Sequence, residues 1–320
     1  MRAVSCIVDA ERDGARLYDV LRTQMGASDG CVRRAKQVEG GLQVDGVPAF
    51  ANARVRAGQR VVLAIDAPCM PGSSTDLAPE TGEVRVVYAD DDVVVVDKPA
   101  GLVMYPSPGH ASGTLANRVA GWLAAQGRQA GLHAVHRLDA GTSGLVVFAF
   151  HSYAKERLQS QLHGRFTREY LAICEGVPQP DVGVVDVPVG KLSTSPNVFG
   201  VLPGGKRAVT HYRVLEDAGS EAGRISLVRL RLETGRTHQI RIHMAHIGHP
   251  LVGDATYGKT SALIERPALH SWRMAFAHPV SGERVSCEAT LPPDMRMFWE
   301  RASGRPSIDA DVVLRNRDIV

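Results

Sequence analysis

The residues best able to do chemistry stand in one run, His136-Arg137-Leu138-Asp139-Ala140-Gly141-Thr142-Ser143-Gly144, which passes straight into Leu145-Val146-Val147-Phe148-Ala149-Phe150. A lone carboxylate and an arginine are carried on a loop of small polar residues. The apolar, β-branched segment behind it reads as a buried strand. Gly141 and Gly144 permit tight turns, and Thr142 and Ser143 can bond the loop to itself. Taken alone, Asp139 reads as an ordinary turn-former. A second polar run, Thr234 to His243, carries Arg236, His238 and Arg241. Thr237 is placed to cap a helix with apolar positions Ile240, Met244 and Ile247, ended by Gly248.

Several chemistries fail on their spacing. His238, His243, His246 and His249 are five, three and three residues apart, whereas a helical zinc pair wants a spacing of four, as in H-E-x-x-H. Thr142-Ser143-Gly144 lacks the G-x-S-x-G elbow of a serine hydrolase and precedes its strand. No G-x-x-x-x-G-K-[ST] and no helix-opening G-x-G-x-x-G is present, and the H-x-E and P-C-x-x-C pair of zinc deaminases is missing. The five cysteines are scattered without a C-x-x-C pair, which fits a reducing compartment rather than a disulfide frame. What remains is a catalyst of one aspartate, arginines and a tyrosine, with no metal and no cofactor expected.

The elements that must position these groups fall into two units in 320 residues, a length that can bury at least one substantial core. Residues 14–66 read as a compact N-terminal unit: a helix over 15–25, a second from Cys31 to Val38 capped by Ser28, and a small sheet turning at Asp45-Gly46. The second helix carries Arg33, Arg34 and Lys36, either a solvated face or a contact for RNA. This unit resembles the S-four-like RNA-binding module first known from a ribosomal protein. Asp29 and Asp45 stand where such modules usually have a basic residue and an asparagine. Residues 67–82, rich in proline and small polar residues, read as a linker. A catalytic domain follows over 83–303, with a helix capped by Ser152 and a strand from Thr167 to Ile173. A loose tail covers 304–320.

At this point the residues carry a family. HRLDAGTSG at 136–144 resembles closely the central motif of the RluA-type RNA pseudouridine synthases, H-R-L-D-x-x-T-S-G. The likeness extends in family order through DKPAGLV at 97–103, REYLAICEG at 168–176, GKRAVTHY at 205–212, TGRTHQIRIHMAHIGHPLVGD at 234–254 and LHSWRMAFAHP at 269–279. The resemblance implies an α+β fold whose catalytic domain is a mixed, largely antiparallel sheet. It implies that Asp139 is the essential carboxylate, Tyr170 the active-site tyrosine and Arg241 the arginine paired with the aspartate. Arg137 would hold the flipped-out arrangement and contact phosphate. Arg168 stands where the family usually has lysine, keeping the charge but not the shape. His136 is expected to make only a loop hydrogen bond.

The implied reaction is a redox-neutral isomerisation of uridine in structured RNA, with ribosomal RNA favoured over transfer RNA. An unpaired carboxylate in a dry pocket tends to take up a proton, so Asp139 needs a cation beside it. Two rivals stay open: a catalytically silent RNA-binding or assembly factor, and a metal enzyme using the 238–249 histidines. A net charge of +3 permits an RNA partner without demanding one, and 5% aromatic residues argues for phosphate and shape readout over rows of stacking rings. No apolar run reaches the ~18 residues of a membrane span and no signal peptide is apparent. A cytoplasmic monomer is the expectation.

Overall fold

The computed structural model describes residues 2–66, 77–107, 110–128, 130–162, 164–192, 198–220 and 223–304. Most of the expected linker (67–76) and the expected tail beyond Gly304 lie outside them.

One large mixed sheet dominates the chain from residue 85 onward. Its strand order is Val182–Asp186, Val209–Ser220, Gly223–Leu232, Thr167–Glu175, Leu269–Ala277, Ser143–Ala149, Val93–Lys98 and Arg85–Ala89, with Arg284–Glu288 and His133–Ala134 pairing alongside. Neighbours run antiparallel except at the centre, where Leu269–Ala277 lies parallel to Ser143–Ala149, pairing His270 with Ser143 and Ser271 with Gly144. The α+β expectation, a mixed and largely antiparallel sheet, is met.

The apolar runs explain which strands are central. Ser143–Ala149 is buried throughout, because helices cover both faces of the sheet there. Val146 and Phe148 face the helix Leu115–Ala125, among Leu115, Val119 and Leu123. Leu145 and Val147 face the helix Ser152–Gln161, among Ala154 and Leu158. The period of two thus sends alternate residues into two different cores. A C-terminal helix, Pro293–Ser303, seals the other half of the sheet by placing Met295, Phe298 and Trp299 against Ile173, Ile225 and Leu227. Sequence reasoning missed it.

The N-terminal unit is a four-stranded antiparallel sheet under two short helices, Leu17–Thr23 and Asp29–Ala35. Ser28 does cap the second helix, its hydroxyl accepting from the Cys31 amide at 3.1 Å. The sheet recruits Ala3–Ile7, ahead of the expected start at residue 14, because this strand pairs with Arg60–Ala64. The unit packs onto the large domain through Tyr153, which is buried in the smaller core and donates to the Met25 carbonyl at 2.9 Å.

Two helix caps differ from expectation. His151, not Ser152, caps the helix Ser152–Gln161, its Nδ1 accepting from the Ala154 amide at 3.2 Å. The Ser152 hydroxyl instead accepts a hydrogen bond from Arg34. Thr237 caps nothing; the helix Gln239–His246 starts from His238, whose backbone is left-handed at φ 55°.

Candidate active site

The loop that bears Asp139 enters the parallel strand pair at the middle of the sheet, and the backbone carbonyls of Asp139, Ala140 and Gly141 are all bonded. The Asp139 carbonyl accepts from the Thr142 amide at 3.0 Å, and the Ala140 carbonyl from the Gly101 amide at 2.8 Å and Lys98 Nζ at 3.0 Å. The Gly141 carbonyl accepts from Arg266 at 3.2 Å. Gly144 has a specific reason to be glycine: φ is 108°, and a β-carbon there would stand 2.2 Å from the Ser271 carbonyl oxygen. Gly141 does not have a positive φ; its role is the carbonyl it offers to Arg266. Ser143 bonds away from the loop, its hydroxyl lying 2.9 Å from His270 Nδ1.

Lys98 holds this turn from beneath. Fully buried, its ammonium donates to the carbonyls of Pro99, Leu102 and Ala140 at 2.8–3.0 Å. Burial pushes its pKa down to about 8, with Arg266 acting in the same direction and Asp139 against it. Arg266 performs a similar service from the other side, gripping Asp294 at the start of the C-terminal helix at 2.6 and 2.8 Å. The C-terminal helix is thereby tied to the loop that bears Asp139.

Asp139 opens onto a cleft of 280 Å³ whose walls include Arg137, Arg168, Tyr170, His238 and Arg241. Its carboxylate is a fifth exposed, wetter than the expected dry pocket. Arg241 Nη1 is 3.7 Å from Asp139 Oδ2, and His238 Nε2 is 3.8 Å from the same oxygen. The expected pairing of Arg241 is therefore shared. Arg241 makes its two short hydrogen bonds, both 2.7 Å, to the fully buried Asp254, which also accepts from the Thr256 amide at 3.0 Å. The guanidinium lies over the Tyr257 ring at 5.0 Å. Bidentate bonding to Asp254 fixes its plane and leaves Nη1 to face Asp139.

Tyr170 and Arg168 alternate along Thr167–Glu175 and both line the cleft. Tyr170 is buried between its register partners Leu230 and Ser271. Burial raises its hydroxyl pKa, against the pull of Arg168, which favours the neutral phenol. Arg168 is 4% exposed and its Nε has no hydrogen-bond partner among the described residues. The expected loop hydrogen bond of His136 is not made: both ring nitrogens are buried without partners, its ring stands edge-on to Phe166, and burial lowers its pKa to about 3. The helix bearing Arg241 is pinned at its start by Gln239, whose amide bonds Thr234, Arg236, Val209 and Thr210 at 2.8–3.0 Å.

Not every expected RNA contact is free for one. Arg137 is exposed at the cleft, Arg33 is exposed on the second helix, and Lys36 is exposed just after its end. Arg34 is half-buried and spends its guanidinium on Ser152 across the contact between the two units. The histidine run also disperses: His243 Nε2 meets the Val187 carbonyl at 3.1 Å and His249 Nδ1 the Glu175 carbonyl at 3.0 Å. Among the described residues the only group with metal-ligand spacing is Asp90, Asp92 and His278, away from this cleft.

A family model described as RNA pseudouridylate synthase matches residues 92–246, the span that includes Asp139, Tyr170 and Arg241. A Bacillus subtilis (strain 168) protein described as the uncharacterized RNA pseudouridine synthase YhcT is 36% identical over 296 residues, covering 92% of this chain and 96% of its own. The chain belongs to the RluA-type RNA pseudouridine synthases. Its relatives include the ribosomal large subunit pseudouridine synthase D of Pasteurella multocida (strain Pm70), 39% identical over 83% of this chain and 82% of that one. Among solved structures, human RNA pseudouridylate synthase domain containing 1 superposes with a TM-score of 0.57 at 26% identity, covering 77% of this chain and 96% of that one. The enzyme is thus an RNA isomerase. None of the helices among the described residues is long and apolar enough to cross a membrane.

Around Asp139 and Arg241, Lys98, Asp254 and Arg266 are residues that sequence reasoning left without a role, and it gave His238 a part only in the rival metal reading. Lys98 carried one legible signal: a lysine at the end of the run Val93–Val96 and directly before Pro99 continues a buried strand. Asp254 and Arg266 meet their partners only through the fold.

Proposed function

We propose that this synthase isomerises specific uridines in structured RNA, ribosomal RNA in preference to transfer RNA, by flipping the base into the Asp139 cleft. The observation that carries the reading is the convergence of Asp139, Tyr170 and Arg241 on one small cleft. Its 280 Å³ lies at the low end for ligand sites and suits a single nucleoside. Asp139 either attacks the anomeric carbon or takes a proton from the neighbouring sugar carbon. Arg241 faces the carboxylate throughout. Tyr170 stacks on the detached uracil, and its neutral hydroxyl assists proton loss from ring carbon five. Extruding the base costs roughly a few kcal/mol, a cost offset by phosphate contacts from Arg137 at the cleft and from Arg33 and Lys36 on the N-terminal unit. That unit, over 14–66, acts as an S-four-like RNA contact, joined by the 67–82 linker to the catalytic domain of 83–303. The preference for ribosomal RNA is supported by the relatives described as acting on the ribosomal large subunit.

Mapping pseudouridine in cellular RNA with and without this protein tests the reading. Loss of one or a few sites in ribosomal RNA is expected. Loss confined to transfer RNA refutes the substrate preference, and an unchanged map refutes the function. Binding to the target RNA should also weaken steeply between low and moderate salt; a flat response contradicts phosphate-led recognition.

A further inference from the structure

His238 is the one residue beside Asp139 that the reaction as described leaves idle, and its setting is unusual. Its backbone is left-handed, a conformation that a residue with a β-carbon adopts at a cost and that is often kept for function. The ring is boxed edge-on by Phe199 and Tyr257. Nδ1 lies 2.9 Å from the Tyr257 hydroxyl, and that hydroxyl lies 3.1 Å from the Phe199 carbonyl. A carbonyl only accepts, so the single tyrosine hydrogen goes to Phe199 and the tyrosine oxygen must accept from Nδ1–H. The tautomer is therefore fixed. In the neutral ring Nε2 then carries the lone pair, 3.8 Å from Asp139 Oδ2.

Two acceptors facing one another make sense when a proton arrives between them. We infer that His238 is a positioning residue that accepts a hydrogen bond from Asp139 once that carboxylate has taken up the sugar proton. The inference rests on the function proposed above and selects its proton-abstraction route. In that step the C1′–N1 bond breaks and uracil leaves with its electron pair. The C2′–H pair becomes the C1′=C2′ double bond, and the proton passes to Asp139. The Asp139 O–H then donates to Nε2, which keeps the proton close until it returns to C2′ as carbon five of uracil bonds C1′. The proton on carbon five is then lost and N1 gains one, so the sequence is a net isomerisation. On the alternative route, attack by Asp139 on the anomeric carbon, no proton reaches the carboxylate and the lone pair has no use.

The ring must be neutral to accept. Burial lowers its pKa, with Arg241 and Arg137 acting in the same direction and Asp139 and Asp254 opposing; Tyr257 and Phe199 complete its surroundings.

Two substitutions separate the two ring nitrogens. His238→Asn keeps a donor near the Nδ1 position and tolerates the left-handed backbone, but removes the acceptor. His238→Gln restores an acceptor near the Nε2 position and cannot titrate. The probe is in vitro transcribed ribosomal and transfer RNA labelled with tritium at carbon five of uracil, read by tritium release. The expected result is a kcat at least tenfold lower for His238→Asn with KM within about twofold. His238→Gln recovers most of the rate and loses the acid limb that ring protonation gives the native pH profile. Native kcat in His238→Asn, or equal loss in both variants, overturns the inference. Failure of the native chain to release tritium from either RNA refutes the functional reading itself, a separate outcome.

Discussion

Asp92 and Asp139 are both carboxylates held by an arginine and a histidine, yet they are held in opposite ways. Asp92 is completely buried; Arg2 reaches both its oxygens at 2.5 Å and His151 Nε2 lies 2.9 Å from one. Burial pushes its pKa up, but the bonds from His151 and Arg2 more than offset this and bring it to about 2. It fastens the N-terminal strand to the large sheet. Asp139 is a fifth exposed, accepts no hydrogen bond at its carboxylate among the described residues, and has Arg241 and the His238 ring at 3.7 and 3.8 Å. The backbone carbonyls of Asp139, Ala140 and Gly141 all accept hydrogen bonds while the Asp139 side chain is left under-paired. A saturated carboxylate is a rivet; one whose surroundings are rigid and whose own oxygens are free is available for chemistry.

That contrast can be broken by substitution. The largest stability effect is expected at Asp254, the saturated partner of Arg241. Asp254→Ala strands a buried guanidinium and should cost about 3–5 kcal/mol in denaturant unfolding; a loss under 1 kcal/mol would show that Arg241 finds Asp139 as a full substitute. Asp92→Asn should cost less, roughly 1.5–3 kcal/mol, by weakening charge-assisted bonds. Its sign with pH is fixed. The folded-state pKa is depressed, so the stabilisation is present above about pH 4 and drains away as pH falls toward about 2. Asp92→Asn should flatten that part of the acid unfolding curve.

Tyr170→Phe is expected to leave stability within about 1 kcal/mol and keep the stack, yet lower kcat by an order of magnitude or more; an unchanged rate restricts Tyr170 to packing. The smallest effect concerns Lys98, whose folded pKa of about 8 lies below its ordinary value. The unfolded chain binds the extra proton above that pH, so the chain should gain stability modestly as pH rises from 8 toward 10. Lys98→Met should abolish this gain.

The pattern of what could be read in advance follows from locality. The strand behind the catalytic loop, the Ser28 cap and the Asp45-Gly46 turn depend on near neighbours, and the sequence displays them. Asp139, Tyr170 and Arg241 were found through motif likeness, and the fold brings all three to one cleft. Contacts between distant segments were invisible: Arg241 with Asp254 across a turn, Arg266 with Asp294 and Gly141, and Arg34 with Ser152. Arg34 teaches the same lesson in reverse, since a helix face that looks solvated from its own residues is half covered by another unit. Ser152 and Thr237 looked like caps because hydroxyls cap helices often; a histidine ring and a left-handed turn took those places instead.

The most direct test of the central claim is Asp139→Asn, assayed together for pseudouridine formation, RNA affinity and unfolding. On the role proposed for the carboxylate, turnover should vanish, falling at least ~1,000-fold by the transition-state bookkeeping of such losses. RNA affinity and stability should stay near those of the native chain. Retained turnover, or a loss of stability comparable to that of Asp92→Asn, would contradict the account.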